Sequence, residues 1–203
     1  MSDPDAPPLT LLLAGLGGQG VVTAGDLLLC AALHEGLEVK KSEIHGLSRR
    51  FGSVSCQVRV GSPLHSPLRG HGGVDILLAL EGYEALKQLP WLKSDGVALV
   101  NQFWLRPGAA RNGKDASPPP TDDPRLLWFP GTDEAHTLEA ARSLNFYMLG
   151  VVSEWLPFSE QSLELALAEG RPSAASTANR SLFERGRAAA KSHRRRGPRS
   201  VPR

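Results

Sequence analysis

The chain has 203 residues, 41% hydrophobic and 22% charged, the makeup of an ordinary globular protein long enough for one substantial core. No apolar run reaches the roughly 18 to 20 residues that a membrane-crossing helix needs, and the opening MSDPDAPP is unlike a secretory or transit signal, so a cytoplasmic protein is expected. The formal net charge of +2 hides a basic end from Arg185 onward and a mildly acidic body, and the two cysteines, Cys30 and Cys56, are too few to hold an iron-sulfur cluster.

In chain order, the apolar run Leu11 to Ala14 ends in Gly15, Gly17, Gly18 and Gly20, which predicts a buried strand and a tight turn. Beyond it Val21, Ala24, Leu28 and Ala31 recur at helical spacing, so the chain opens in α/β fashion. A short strand is expected at Leu37 to Lys40. The polar stretch Ser42 to Gly52 has neither period and reads as a functional loop. From Ser53 to Val60 the alternation is unbroken, with Val54, Cys56, Val58 and Val60 on one face and a wetter face opposite, typical of antiparallel pairing.

After the turn-rich Gly61 to Gly73, Val74 to Leu80 reads as a central strand, Tyr83 to Leu89 as a helix and Val97 to Val100 as a strand. This βαβ rhythm implies a crossover and a largely covered sheet. Arg106 to Pro124 is rich in proline and poor in apolar anchors, which predicts a surface loop. A last strand is expected at Leu126 to Phe129. Helices follow at Glu134 to Arg142, Asn145 to Trp155, Ser159 to Ala168 with Ser159 as N-cap, and Ser176 to Ala190. The basic end, 191–203, reads as a disordered tail.

Gly15, Gly17 and Gly20 fit G-x-G-x-x-G between strand and helix, where backbone N–H groups can face an anion. A nicotinamide reading would need an acid near the end of the second strand to hold a ribose hydroxyl, and Glu43 is the candidate. The plainer alternative is a tight turn that packs helix on strand without a ligand. Lys41 to Val54 then gathers an acid, an imidazole, two guanidiniums and hydroxyls into one segment suited to an anionic group or a charged partner surface. Cys56, on the apolar face of its strand, reads as packing and not as a nucleophile.

These two segments, Gly15-Leu16-Gly17-Gly18-Gln19-Gly20-Val21 and Ser42 to Val54, resemble the gamma domain of pyruvate and ketoisovalerate ferredoxin oxidoreductases. The resemblance extends to Leu80 through Leu86, to Asn145 with Leu149-Gly150, and to Asn179 with Phe183 and Gly186, spanning residues 9–190. In length and wording the chain is most similar to the freestanding indolepyruvate oxidoreductase beta subunit. Phe51 departs from the pattern, standing where the family often has a second glycine after the arginine.

The resemblance implies a three-layer α/β/α fold with a mixed, mostly parallel sheet, a Rossmann-like opening and a helical C-terminal part. It implies a subunit that oxidatively decarboxylates an aryl-2-oxoacid such as indolepyruvate only within a complex. Thiamine diphosphate, magnesium and iron-sulfur clusters would belong to a partner alpha subunit, coenzyme A would be co-substrate, and electrons would reach ferredoxin through the complex. Gly17, Gly18, Gln19 and Gly20 with Glu43, Arg49, Arg50 and Ser53 are the expected cofactor- and partner-facing residues, and His45 is the candidate for proton transfer. Neither membrane nor nucleic acid is expected as a partner. The rival readings are an independent NAD(P)-binding oxidoreductase and a non-catalytic scaffold.

Overall fold

A computed structural model describes residues 7–45, 52–105, 121–169 and 177–194. The elements run β1 (Leu9–Leu16), α1 (Val21–His34), β2 (Val39–His45), β3 (Ser53–Val60), β4 (Val74–Ala79), α2 (Gly82–Gln88), β5 (Leu92–Asn101), β6 (Leu126–Phe129), α3 (Gly131–Thr137), α4 (Leu144–Ser153), α5 (Glu160–Glu169) and α6 (Thr177–Arg194). Short 3-10 turns lie at Leu89–Trp91 and Ala141–Ser143.

The strands form one six-stranded sheet in the order β2-β3-β1-β4-β5-β6. β1, β4, β5 and β6 are parallel, and β3 runs antiparallel to both β1 and β2. Period-2 alternation sorts the strand residues onto two faces. Leu11, Leu13, Cys56, Val58, Ile76, Leu78 and Leu99 face the core shared with α1 and α4. Leu12, Ala14, Leu77, Ala79, Ala98 and Val100 face a smaller core closed by Ala85 and Leu86 of α2. Helices on both faces make the expected three layers.

Several boundaries differ from the expectation. β2 does not stop at Lys40 but continues through His45, pairing Glu43 with Cys56 and His45 with Val54, so the first part of the expected polar loop, Ser42 to His45, is edge strand. Its polar sequence suits an edge, where only one side pairs. The wetter face of β3 is covered: Gln57 and Arg59 are both 3% exposed. The Gln57 amide clasps the Arg69 backbone through Arg69 N–H to Oε1 at 2.8 Å and Nε2 to the Arg69 carbonyl at 3.2 Å. Arg59 Nε donates to Thr10 Oγ1 at 3.3 Å. The 61–73 segment thus satisfies polar groups that a solvent-facing strand would give to water.

The helix expected at Glu134 to Arg142 begins earlier, at Gly131, and ends at Thr137. Ser159 does cap α5, its Oγ accepting from Ser162 N–H at 3.1 Å. α6 runs to Arg194, so the first residues of the expected tail are helical. Residues 106–120 of the expected loop and the tail beyond Arg194 lie outside the described residues. Cys30 is only partly buried. Among the described residues no helix is long and apolar enough to cross a membrane.

Candidate functional site at the carboxyl edge of the sheet

Because β1, β2, β4, β5 and β6 all point the same way, their C-terminal ends meet at one edge of the sheet, together with the start of β3. Such edges are where open α/β sheets hold ligands. Here the edge carries the glycine turn after β1, the end of the polar segment before β3, and the turns after β4, β5 and β6.

The glycine turn is braced from within. Leu16 N–H donates to Gln19 Oε1 at 2.7 Å, and Gln19 Nε2 donates to the Leu80 carbonyl at 3.2 Å, so the amide ties the ends of β1 and β4 together. Gly17 N–H donates to the Gly52 carbonyl at 2.9 Å, which brings the turn against the end of the polar segment. Gly20 lies in the left-handed region at φ 86° and precedes α1. A Cβ there would stand 2.7 Å from Asn145 Nδ2.

Ser53, next to the turn through its pairing with Leu16, donates to Glu84 Oε2 at 2.6 Å. Glu84 also holds Lys87, and its N–H is accepted by Glu81, which caps α2 and receives Leu105 N–H at 2.9 Å as well. Burial pushes the Glu81 carboxyl above its ordinary range. Asn101, fully buried at the end of β5, donates to the Leu80 carbonyl and to Thr132 Oγ1 and accepts from Thr132 N–H at 3.0 Å. That clamp fixes the start of α3 against β4 and β5.

Glu43 does not reach the turn. β3 separates β2 from β1, so Glu43 stands two strands, about 10 Å, from β1. Its carboxylate meets Lys41 Nζ at 2.6 Å, and Lys41 also binds Asp26 of α1. Burial opposes the Lys41 charge, but the two carboxylates outweigh it and raise its pKa. A ribose-holding acid at the tip of a neighbouring strand is therefore missing at Glu43, which removes the structural basis of the nicotinamide reading. The His45 backbone ends β2 at the same edge, whereas its side chain and Arg49, Arg50 and Phe51 lie outside the described residues. Cys56 is fully buried, and burial pushes its thiol up to about 12, consistent with packing.

A cavity of about 210 Å³ opens on the other side of the turn, lined by Gly18, Gln19, Phe103, Thr132, His136, Ala141, Arg142 and Leu144. Thr132, His136 and Arg142 were not singled out from the sequence. Only the order of β1, β5 and β6 in the sheet brings them to the turn. Asn145 did leave a signal, as a lone amide in an otherwise apolar helix. Among the described residues no group of three or more His, Cys, Asp or Glu stands close enough to hold a metal ion.

Residues 10–189 match the sequence profile of the pyruvate ferredoxin/flavodoxin oxidoreductase family. The chain belongs to that family. Within it, the chain is 32% identical over 193 residues to indolepyruvate oxidoreductase subunit IorB of Thermococcus kodakarensis, covering 89% of this chain and 95% of the relative. It is 30% identical over 190 residues to the IorB subunit of Methanothermobacter thermautotrophicus, covering 89% and 96%.

Two solved structures share the fold. A 2-oxoglutarate:ferredoxin oxidoreductase from Magnetococcus marinus, solved with 2-oxoglutarate, coenzyme A and succinyl-CoA bound, superposes with a TM-score of 0.75 at 24% identity; the match covers 93% of this chain and 32% of that longer one. The gamma subunit of a keto/oxoacid ferredoxin oxidoreductase from Geobacter sulfurreducens gives a TM-score of 0.71 at 23% identity over 91% of this chain and 99% of that one. The fold thus occurs both within a larger chain and as a separate subunit.

Proposed function

We propose that this chain is the subunit without redox centres of a cytoplasmic 2-oxoacid:ferredoxin oxidoreductase that oxidises an aryl-2-oxoacid, indolepyruvate first among them, to its acyl-CoA. The observation that carries the reading is the near end-to-end match with IorB subunits, 95% and 96% of whose lengths are covered. Thiamine diphosphate, magnesium and the iron-sulfur clusters reside on a partner alpha subunit, and ferredoxin takes electrons through the assembly. This chain's part is to present the carboxyl edge to that partner and to the coenzyme A phosphates.

The braced glycine turn supports that role, because Gln19 and the Gly17–Gly52 hydrogen bond hold the turn and the polar segment as one unit. On this reading Gly17, Gly18 and Gly20 offer backbone, while Arg49, Arg50 and His45 supply charge and hydrogen bonds to the partner. Glu43 and Ser53 position the segment through Lys41 and Glu84.

The test is affinity purification of the tagged chain from its own host under anoxic conditions, with mass spectrometry and thiamine and iron analysis of what accompanies it. A large thiamine- and iron-bearing subunit that reduces ferredoxin with indolepyruvate is expected. A chain that comes down alone overturns the proposal. Arg49→Ala is expected to reduce the amount of partner recovered.

A further inference from the structure

β2 is the outermost strand on one side of the sheet, and among the described residues no strand pairs with its outer edge. Just before it begins, the Glu38 carbonyl accepts from Gly61 N–H at 2.9 Å, which sets the phase of the ladder: even-numbered residues of β2 turn their backbone groups toward β3. The N–H and C=O groups of Val39, Lys41, Glu43 and His45 therefore point out of the sheet.

Edge strands are commonly guarded by lysines, prolines or bulges. β2 has no proline, and its pairing with β3 runs from Val39 to His45 without a shift of register. Its two lysines are drawn onto the body of the chain: Lys40 Nζ donates to the Leu64 carbonyl, and Lys41 Nζ is held by Asp26 and Glu43. The edge is thus regular and unguarded. Its side chains fit a second copy of the same strand. Antiparallel pairing about a twofold axis at Ser42 sets Val39 against His45, Lys40 against Ile44 and Lys41 against Glu43, so the strand overlaps its copy along its full length. Lys41 then faces Glu43 of the second copy on both sides of the axis, and the outward backbone groups of these residues meet. Moving the axis to Lys41 or to Glu43 shortens the overlap and sets like charges directly opposite each other, which destabilises a strand pair.

We propose that this chain forms a twofold dimer by antiparallel pairing of β2 with β2 of a second copy, which joins two six-stranded sheets into one. Full overlap and charge complementarity select the same register, and the phase of the ladder makes Ser42 and its counterpart a pair without mutual hydrogen bonds, with Cα atoms about 4.5 Å apart. The pairing uses the backbone of the outer edge and leaves the sheet face that carries Ile44 open to an alpha subunit. It needs this chain alone and does not rest on the assembly reading.

The test is sedimentation equilibrium of the full-length chain at about 50 μM, where a mass of twice 21.8 kDa is expected. Ser42→Arg sets two guanidiniums against each other at the axis and should weaken the dimer about tenfold or more. A protein that stays monomeric overturns the proposal, as does a dimer that Ser42→Arg leaves intact, since the contact would then lie elsewhere. Ser42→Cys decides the matter if Ser42→Arg does not fold. In a Cys30→Ser background, with Cys56 fully buried, mild oxidation should link two chains through the new thiols, because the Cα separation at the axis suits a disulfide. Failure to cross-link overturns the proposal. The outcome is independent of whether an alpha subunit co-purifies.

Discussion

Gln19 was expected to face a ligand or partner, and instead both ends of its amide hold backbone, with the Leu80 contact 61 residues away in sequence. Gln19→Ala leaves the Leu16 N–H without its acceptor at a position 9% exposed, so a loss of about 1 to 2 kcal/mol in urea unfolding is expected. The glycines around it were legible, because the demand for left-handed or uncluttered backbone is local to Gly18 and Gly20. The direction of the amide was not, since it depends on where β4 ends. Glu81 gives a prediction of a different kind. Its folded-state pKa is raised by burial, so the folded chain holds more protons than the unfolded chain between the ordinary carboxylate value and the raised one. Stability relative to Glu81→Gln should therefore fall as pH climbs through that window and level off above it. Unfolding free energies of the two proteins measured from about pH 4 to pH 8 check this, and curves that stay parallel would contradict it.

Helices α4 and α6 cross backbone to backbone at a reciprocal pair of glycines. A Cβ on Gly150 would stand 1.9 Å from the Phe183 carbonyl oxygen, and one on Gly186 would stand 2.0 Å from that of Tyr147. Neither obstacle is a side chain that could swing away, so the helices would have to part. Gly150→Ala and Gly186→Ala are each expected to cost about 3 kcal/mol by chemical denaturation, a large share of a domain's stability. Gly70→Ala, where a Cβ meets nothing within 4 Å, should stay within about 0.5 kcal/mol and serves as control. Element by element, the apolar periods of β1, α1, β3 and β4 were legible because each element buries one face or both. The continuation of β2 was not, because Lys41, Ser42 and Glu43 carry no apolar alternation, and the strand exists by pairing with β3. The α3 segment was misplaced for the same reason: Asn101, far off in sequence, fixes where it starts.

At the scale of the whole molecule, the fold class followed from the order of the elements, whereas the cavity did not, because its described walls come from four separate stretches of chain that only the sheet order unites. The same order leaves β2 at an edge, with Ile44 52% exposed within the polar segment proposed to meet the partner. An apolar side chain there contributes little to this chain alone, and lysine is a residue that edge strands tolerate. Ile44→Lys should therefore change the unfolding free energy of the isolated chain by no more than about 0.5 kcal/mol. In the assembly the same substitution would place an ammonium where an isoleucine is buried, forfeiting about 2 kcal/mol of apolar burial and more than tenfold in affinity for the partner. Denaturation of the free chain and co-purification of the complex, measured side by side, separate the two effects. A variant as stable as the parent that still recovers its partner in full would remove β2 from the interface and leave the glycine turn and the segment after His45 to carry the contact.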